Sequence, residues 1–444
     1  MTTIFKNLWN RRRHNAWLFI ELILVTILTW IIVDPVAVSI SDTSLPLGYD
    51  ADRLVYVSIK SIPDDAPGYD AAADSADRKR AAVDAIMAKV RQYPGVERAT
   101  HVLNYSLIGD QSCSMGNMNT GNDAVDTIAK YHKSIQYVTG EQYFETYGFK
   151  SSEGSPDVAT VSKIISDGGS NLVISRQLGE VYWPGENAIG KRIILNTWQL
   201  KNGADTIWGT VRGVVEGARA HSMDRSYAMQ FYSYAPNDKI YKALNSLNVV
   251  LRLRDGVDMN DFLAEFRPWG NTALKADNLY MLSAMPYQSI IDDTETSYGI
   301  RSERSLKILL AAFFLLNLVL GTIGCFWLQT RKRVEEIGVR RAYGARRHHI
   351  VGMLLGESAV LATVSVLIGD SIYLQWALKY GLDAGFTNNS GLNIIDNWVS
   401  HFGEHFLIIS AIVYAIILVC VLIGTLIPAI SASRVNVTDA LRDE

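Results

Sequence analysis

Cysteine is scarce in this chain of 444 residues, which contains only Cys113, Cys325 and Cys420. Two of them lie in strongly apolar stretches and the third stands alone in a long polar region, so no intrachain disulfide framework is expected. An excess of one charge is also missing, because the formal net charge at pH 7 is −3. This near-neutral balance does not indicate a polyanionic partner such as nucleic acid.

A complete phosphate-binding loop is missing as well. The stretch WPGENAIGKRII carries Gly185 and then Gly190-Lys191, as in the pattern G-x-x-x-x-G-K-[ST], but Arg192 stands where the pattern needs a hydroxyl for Mg²⁺. A phosphate loop follows a buried strand and opens a helix. Here VYWP precedes the first glycine, and RIILNTW after the lysine is typical of a strand. We therefore expect the two glycines to shape turns and not to bind a nucleotide.

The sequence shows no catalytic constellation and no complete metal-ligand pattern. The stretch HFGEH places His401 and His405 four residues apart with Glu404 between them, but no further ligand follows at a sensible spacing. We interpret these residues as polar side chains at a membrane interface. Their role, like that of Cys113, stays open. The chain is predicted not to be an enzyme and to bind no cofactor or metal itself.

Long apolar runs, in contrast, are present. The length of each run is close to the ~20 residues that a helix needs to cross the hydrocarbon core of a bilayer. The first run could be a signal peptide, because basic residues precede it, but it is long for that role and no A-x-A cleavage site follows. We therefore predict four transmembrane helices, at residues 16–36, 305–330, 350–374 and 405–428.

Positive charge flanks these runs unevenly. Arginines at 11–13 precede the first run, and seven Lys or Arg residues lie between the second and third runs, whereas the loop after the third run carries mostly acidic residues. Lys and Arg mark the cytoplasmic side of a membrane. Both termini (1–15 and 429–444) and the segment 331–349 are therefore predicted to be cytoplasmic. The region 37–304 and the loop 375–404 are then extracytoplasmic, which places Gly185 to Lys191 away from any ATP pool.

The large extracytoplasmic region begins and ends with similar patterns. LVYVSIK, a helix after Ser75 and VERATHV form one βαβ-like unit, and NVVLRLR, GVDMNDFLAEFRPWG and NLYMLSAM form another. The second of these helices is predicted to end at Pro268 to Gly270. About a hundred residues separate the two units. The sequence therefore predicts an α+β domain of two subdomains, one porter-like (about 50–135 plus 246–300) and one inserted and β-rich (about 136–245).

The segment between the second and third apolar runs carries the most information. Charge counting alone explains 331–349 as a basic loop that satisfies the orientation rule. The order of its residues indicates more. The second span is expected to continue as a helix to Glu335-Glu336, Gly338 could bend the chain, and Gly344 fits a helix-terminating position. A short helix between two long helices would move both spans together when force is applied to it.

This segment resembles the cytoplasmic signature of the MacB/FtsX-like ABC transporter permeases, R-x-x-E-I-G-[IV]-R-[RK]-A-x-G-A, which stands here as RVEEIGVRRAYGA from Arg333 to Ala345. Three further stretches resemble motifs of the same family: YVTGEQYFETYGFK, LVISRQLGEVYWPGENAIGKRI and the C-terminal PAISASRVNVTDALRDE. In the last, Val437-Thr438 replaces a usual proline. The resemblance covers nearly the whole chain and implies that the following residues couple to an ATPase: Glu335, Glu336, Ile337, Gly338, Val339, Arg340, Arg341, Ala342, Tyr343, Gly344 and Ala345.

The resemblance also implies a mechanism and partners. Members of the family pair into homodimers or heterodimers of similar permeases and bind cytoplasmic ABC ATPase subunits through the coupling helix. ATP-driven closure then moves the periplasmic domains. The chain begins only fifteen residues before the first span, so the ATPase, with its ATP and Mg²⁺, is expected on a separate chain. The stretch IFKNLW at residues 4–9 is expected to be an interfacial amphipathic helix.

The expected function is that of the permease subunit of a mechanotransmission system in the bacterial inner membrane. It would drive export of a peptide, toxin or drug, with a possible periplasmic adaptor and outer-membrane channel. Two alternatives remain open, a lipoprotein-releasing permease and an FtsX-like regulator of cell-wall hydrolases. The sequence identifies neither the cargo nor the ATPase.

Polar and small residues inside the spans are predicted to serve packing. Glu357 matches an acidic residue that family members carry early in the third span, and an unpaired carboxylate there would cost a few kcal/mol. We therefore expect Glu357 to have a structural partner. Gly352 and Gly356 form a small-xxx-small face for close helix contact. Asn317 could donate a hydrogen bond across a dimer interface. Membrane lipid is expected to be a further partner of the spans.

Overall fold

The structure is a computed structural model that describes residues 12–102, 107–109, 114–115, 133–138, 140–194, 206–219, 221–222, 224–234, 241, 244, 246–331, 334–383 and 395–434. The chain divides into two compact units. The helical unit comprises Met1–Ser41, Arg301–Gly385 and Asp396–Glu444, and the β-sheet unit comprises Asp42–Ile300 and Phe386–Ile395. The predicted amphipathic stretch at 4–9, Cys113 and the C-terminal residues from 435 onwards lie outside the described residues.

Helices account for most of the helical unit. In the described residues the α-helices, numbered in chain order, are α1 (Arg12–Ser44), α2 (Ala76–Gln92), α3 (Tyr143–Tyr147), α4 (Val158–Ser166), α5 (Arg176–Tyr182), α6 (Met259–Ala273), α7 (Gln288–Ser297), α8 (Ile300–Arg331), α9 (Val334–Ala342), α10 (Arg347–Tyr380) and α11 (Phe402–Ser433). Four of them, α1, α8, α10 and α11, are long and apolar enough to cross a membrane. All four extend beyond the predicted spans, because hydropathy marks the lipid-compatible part of a helix and not its ends.

The core of the helical unit lies between α1, α10 and α11. Trp30 of α1 is fully buried, and its ring stacks on Tyr373 of α10 at 4.5 Å and on Phe406 of α11 at 5.0 Å between centroids. The indole nitrogen of Trp30 donates to Asp370 Oδ1 at 2.8 Å. A buried aromatic residue whose polar atom finds a partner fixes the packing angle of the helices around it. By contrast, the most apolar stretch within Ile300–Gly321 of α8 has no residue buried among the described residues.

The β-sheet unit contains the strands. In the described residues they are β1 (Leu54–Ser61), β2 (Val96–Val102), β3 (Ser114–Met115), β4 (Lys133–Val138), β5 (Asn171–Ser175), β6 (Arg192–Ile194), β7 (Trp208–Val215), β8 (Met229–Tyr234), β9 (Ser246–Leu253), β10 (Lys275–Ala276) and β11 (Leu279–Pro286). They form one sheet in the order β10-β11-β1-β9-β2 and a second in the order β3-β4-β8-β5-β7-β6.

The two predicted βαβ-like units interleave in the first sheet. β1 pairs antiparallel with both β9 and β11, and β2 pairs antiparallel with β9. Each unit is therefore a split βαβ, with a strand of the other unit inserted between its own two strands. The apolar face predicted for the first helix is buried beneath this sheet and consists of Ala82, Val83, Ile86, Met87 and Val90. The helix begins after Ser75, as predicted, although the Ser75 side chain makes no capping hydrogen bond.

The prediction that α6 ends at Pro268 to Gly270 was wrong, because the helix continues to Ala273. A proline inside a helix removes a backbone hydrogen bond and costs about 3 kcal/mol. Packing offsets that cost here. Phe266 is fully buried with its ring 5.0 Å from that of Tyr93, and a Cβ at Gly270 would lie 2.5 Å from Met281 Sδ. Burial of the helix against the sheet thus overrides the local signal of the proline.

The second sheet shares a core with the first. Phe144 and Tyr232, from the region of the second sheet, belong to the same buried cluster as Leu54 and Tyr287, from the region of the first. The Tyr147 and Tyr287 hydroxyls lie 3.2 Å apart, and Tyr287 also donates to the carbonyl of Ile108 at 2.6 Å. The two sheets therefore form one compact unit with a shared aromatic interior, and the division into subdomains stays a prediction.

The incomplete phosphate-loop motif forms a turn. Gly185 and Gly190 both have positive φ, at 74° and 85°, and the strand β6 follows the motif. Lys191 Nζ lies 2.5 Å from Glu186 Oε2, so the ammonium group forms an ion pair with a carboxylate of the same turn. The Arg192 guanidinium lies over the Trp208 ring, 4.7 Å from its centroid. The prediction that these glycines shape turns is confirmed.

A buried histidine makes the β-sheet unit sensitive to acid. Burial, with a smaller contribution from Arg91, lowers the pKa of His101 on β2 from 6.5 to about 4. Between these values the unfolded chain binds a proton that the folded chain does not, so stability is present above pH 6.5 and is lost as the pH falls towards 4. We expect the free energy of unfolding to be about 2 kcal/mol lower at pH 5 than at pH 7.

Hydrogen exchange at the β9 amides of the full chain, corrected for the intrinsic effect of pH, would measure this change. His101→Gln cannot titrate in this range and should remove most of the pH difference. An equal pH dependence in the two proteins would show that another group is responsible.

Candidate functional site

The short helix α9 occupies the middle of the predicted coupling segment. α8 ends at Arg331, residues 332–333 lie outside the described residues, and α9 is Val334–Ala342. Glu335 and Glu336 are helical, as predicted, and continuation of the second span into α9 stays a prediction because the connecting residues lie outside the described ones. Gly338 lies inside α9, and a bend at this glycine also stays a prediction. An i,i+4 ion pair, Arg340 Nη2 to Glu336 Oε1 at 3.0 Å, bridges the glycine and stabilises the helix.

Gly344 terminates α9, as predicted. It has a φ of 90°, its N–H donates to the carbonyl of Arg341 at 3.0 Å, and the N–H of Ala345 donates to the carbonyl of Arg340 at 3.1 Å. These two bonds are a Schellman motif, which needs a residue in the left-handed region and therefore favours glycine. Arg346 is extended and α10 begins at Arg347. The coupling segment is thus a short helix, a sharp turn and the start of a long helix, not one helix over 331–349.

One face of α9 is anchored in the helical unit. Ile337 is 1% exposed and clusters with Ile350 and Leu354 of α10 and with Ala429 and Ala432 of α11. A fully buried isoleucine contributes on the order of 2 kcal/mol through the area removed from water. The side chain therefore ties α9 to the beginning of α10 and the end of α11.

Arg340 adds a polar contact at the edge of this anchor. Its Nη1 lies 2.7 Å from Met353 Sδ of α10, while Nη2 binds Glu336. The guanidinium is therefore held within the protein on two sides. This arrangement makes Arg340 a support of α9 and not a freely presented charge.

The opposite face of α9 is open. Tyr343 is 89% exposed and Val339 is 43% exposed, which is unusual for apolar and aromatic residues at successive turns of a helix. Exposed basic residues follow at Arg346 and Arg347, and the adjacent rings of His348 and His349 lie 4.3 Å apart. The sequence identified the segment but not these two faces, because two of the residues that bury Ile337, Ala429 and Ala432, come from the far end of the chain.

The residues predicted to pack inside the membrane have different environments. Glu357 is buried and is not isolated, which agrees with a structural role. A Cβ at Gly352 would meet no described atom within 4 Å, so this glycine makes no close contact with another helix in the described part of the chain. Asn317 is exposed and donates to the carbonyl of Phe313 in its own helix at 2.8 Å. Contacts of Gly352, Gly356 and Asn317 with a second permease stay predictions.

The two histidines of HFGEH do not form a joint site. His405 is almost completely buried, with Nε2 2.6 Å from Asp34 Oδ1, and its position at a membrane interface stays a prediction. His401 is exposed and pairs with Asp396 at 2.9 Å. Among the described residues no group of three or more His, Cys, Asp or Glu side chains is placed to hold a metal. Sequence reasoning missed Asp34, although a carboxylate at the end of an apolar run indicates a buried partner.

Comparison with known proteins agrees with these features. Residues 308–437 match the FtsX-like permease C-terminal family. The "Macrolide export ATP-binding/permease protein MacB 1/2" of Paracoccus denitrificans is 27% identical over 252 residues, which cover 55% of this chain and 33% of that protein. The "Pyoverdine export ATP-binding/permease protein PvdT" of Pseudomonas putida is 35% identical over 77 residues, which cover 17% of this chain and 12% of that protein.

A solved structure is also similar. The periplasmic region of MacB from Actinobacillus actinomycetemcomitans has 15% sequence identity and a TM-score of 0.32, and the match covers 56% of this chain and 94% of that one. The matched regions span about a third or less of the full length of the two curated relatives.

Residues 308–437, which include α9, therefore form an FtsX-like permease domain attached to membrane-type apolar helices. The resemblance to the MacB/FtsX-like ABC transporter permeases that the motifs indicated is therefore matched by this domain and by the sequence similarity to MacB proteins.

The anchoring of α9 can be tested by substitution. Ile337→Ala removes the buried side chain, and large-to-small changes at such positions cost about 2–5 kcal/mol. We expect the amides of residues 334–345 to exchange hydrogen much faster in the variant than in the unsubstituted chain, because α9 would detach from α10 and α11.

Val339→Ala is the matched control, because it shortens a β-branched side chain in the same helix on the exposed face. It should leave the exchange almost unchanged. Equal acceleration in the two variants would contradict an anchor that resides in Ile337.

Proposed function

We propose that this chain is the membrane subunit of a MacB-like mechanotransmission ABC system, in which α9 receives force from a cytoplasmic ATPase subunit. The two faces of α9 support this most. Ile337 holds the helix to α10 and α11, while Tyr343 and Val339 remain exposed for a partner. A helix anchored on one side and presenting an aromatic residue on the other is suited to seat in a groove of a second protein.

ATP hydrolysis is proposed to occur on that partner. The curated relatives are named as ATP-binding/permease proteins, and their matches to this chain cover a third or less of their length. In this proposal ATP and Mg²⁺ bind the ATPase subunit, and the chain itself catalyses nothing and binds no cofactor. The excess of Arg and Lys beside α9 supports a cytoplasmic location for it and for both termini. The β-sheet unit would then lie in the periplasm of a bacterium, with the chain in the inner membrane.

The cargo is proposed to be a small exported compound or peptide. The relatives are named for macrolide and pyoverdine export, so the MacB-like type is not tied to one chemical class. Export would need a dimer of permeases, identical or similar, and would be served by a periplasmic adaptor and an outer-membrane channel. Movement of the β-sheet unit, and not passage between the helices, would drive the cargo.

Recruitment of the ATPase tests the proposal at the exposed face of α9. Tyr343→Ala removes an aromatic side chain that would be buried in the partner, and such truncations typically cost 2 kcal/mol or more, roughly a thirtyfold loss of affinity. Less ATPase should copurify with the tagged variant from native membranes, and binding of the isolated ATPase to the chain in nanodiscs should weaken to a similar extent.

Tyr380→Ala is the control, since Tyr380 is also exposed but lies at the other end of α10. It should leave ATPase binding unchanged. If Tyr343→Ala and Arg341→Ala both bind the ATPase as tightly as this control, the assignment of α9 as the coupling element would be wrong.

A further inference from the structure

Residues 217–228 of the β-sheet unit contact the end of α1. The Arg219 side chain is fully buried, and its Nη1 donates to the carbonyl of Leu45 at 2.7 Å. The backbone N–H of Arg219 donates to the carbonyl of Leu47 at 2.9 Å. Arg225 Nε lies 3.3 Å from Asp42 Oδ1 in the last turn of α1, and both residues are buried. Two cations thus sit at the carboxyl end of a helix, where the helix dipole favours positive charge. We call the described residues of this stretch, 217–219, 221–222 and 224–228, the junction loop.

The same loop contacts the helix that precedes α8. Ser222 Oγ donates to Glu295 Oε1 of α7 at 2.6 Å, and both side chains are buried. The ring of His221 lies 5.2 Å from that of Tyr298, just before α8 begins. Within the loop, His221 Nδ1 lies 3.1 Å from Asp224 Oδ2. The junction loop therefore contacts both the segment that leads from α1 into the β-sheet unit and the segment that leads from this unit to α8.

A third segment reaches the loop from the connection between α10 and α11. The N–H of Ile395 donates to the carbonyl of Arg225 at 2.7 Å. Ile395 belongs to the β-sheet unit, although its neighbours in sequence on the carboxyl side belong to the helical unit. Arg225 consequently holds one segment through its side chain and another through its carbonyl. Among the described residues, three segments that connect the β-sheet unit to spanning helices therefore meet at this loop.

The backbone of the segment after α1 packs closely against the backbone of the junction loop. Gly48 has a φ of 83°, and a Cβ there would lie 2.2 Å from the carbonyl oxygen of Gly217. A Cβ at Gly217 would in turn lie 2.2 Å from Gln177 Oε1. Neither position can accept a side chain without displacement of its neighbours, so the end of α1 and the loop are in direct backbone contact. Packing this dense transmits displacement and does not absorb it.

We propose that the junction loop is the joint of the β-sheet unit, at which Arg219 and Arg225 hold the three segments leading to the spanning helices together so that they move as one. Arg219 and Arg225 are positioning residues in this role. Their burial makes the arrangement specific: desolvation lowers the pKa of Arg219, and its Nε and Nη2 have no hydrogen-bond partner in the described part of the chain. Burial of a guanidinium is costly, so it stays in place only when the groups that contact it are held in fixed positions.

This inference rests on the proposed function and can be separated from it. Complexes of the full chain with its copurifying ATPase would be taken from native membranes. Hydrogen exchange across the β-sheet unit would be compared without nucleotide and with ATP plus vanadate, and ATP turnover would be measured on the same samples. In the unsubstituted complex we expect a nucleotide-dependent change in exchange in the β-sheet unit. If no ATPase copurifies, or if nucleotide does not change hydrogen exchange in the β-sheet unit, both the proposed function and the proposed joint are contradicted.

Arg225→Gln should keep ATP turnover but reduce the nucleotide-dependent exchange change roughly fivefold or more, since coupling between sites typically corresponds to 5–150-fold effects. Arg225→Lys, which keeps the charge, should retain most of the response. Arg212→Gln, an exposed position on β7, is the matched control and should respond fully. A purely structural role of Arg225 would lower turnover and response together.

A full response in Arg225→Gln, equal to that of Arg212→Gln, would overturn the proposal while leaving the proposed function intact. Should Arg225→Gln fail to accumulate in membranes, Ser222→Ala replaces it, because this change removes only the hydroxyl bonded to Glu295. A reduced response with normal turnover in Ser222→Ala supports the joint, and a full response overturns it.

Discussion

The burial of Ile337 between the start of α10 and the end of α11 is the contact on which the proposed transmission of force from α9 depends. Protein interiors are packed as densely as organic crystals, so a buried side chain cannot shift without moving its neighbours. Because Ile337 contacts two spanning helices at once, a displacement of α9 becomes a displacement of both. The Schellman turn at Gly344 adds a second constraint, since it joins α9 to α10 by only a few residues.

The two units use different means to stay rigid. In the helical unit, a few polar pairs fix the angles of otherwise apolar helices, as Trp30 with Asp370 and Asp34 with His405 do. In the β-sheet unit, an aromatic core shared by both sheets lies beside a largely aliphatic core under the first sheet, and buried charges are concentrated at the junction loop. Buried polar groups are costly unless they are paired, so each of these pairs specifies one arrangement of its elements. Rigidity of this kind is what a subunit needs if it is to pass on movement without catalysing a reaction.

The sequence predicted what depends on local chemistry. Apolar runs identified the four candidate spans, because the solvent around a membrane helix dictates its composition. The order of strands and helices at both ends of the β-sheet unit was also readable, and Gly344 identified the end of α9 through its backbone freedom. The interleaving of the two βαβ-like units was not readable, because strand order depends on pairings across about two hundred residues.

Long-range contacts account for the failures as well. Pro268 indicated the end of a helix, yet burial of Phe266 against the sheet carries α6 onwards. The buried partner of His405 was missed, because Asp34 is separated from it by 371 positions. The two faces of α9 depend on Ala429 and Ala432, which no local pattern connects with Ile337. In each case a contact distant in sequence outweighed a correct local signal.

A photo-crosslink from position 343 would decide whether α9 contacts an ATPase in the cell. Tyr343 would be replaced by a benzophenone-bearing amino acid, the cells irradiated, and the adducts of the chain identified by mass spectrometry. The expected product is an adduct with a cytoplasmic ABC ATPase subunit that does not form when the same group is placed at Tyr380. Adducts with lipid alone at position 343, or the same ATPase adduct from position 380, would contradict the assignment of α9 as the element that receives force.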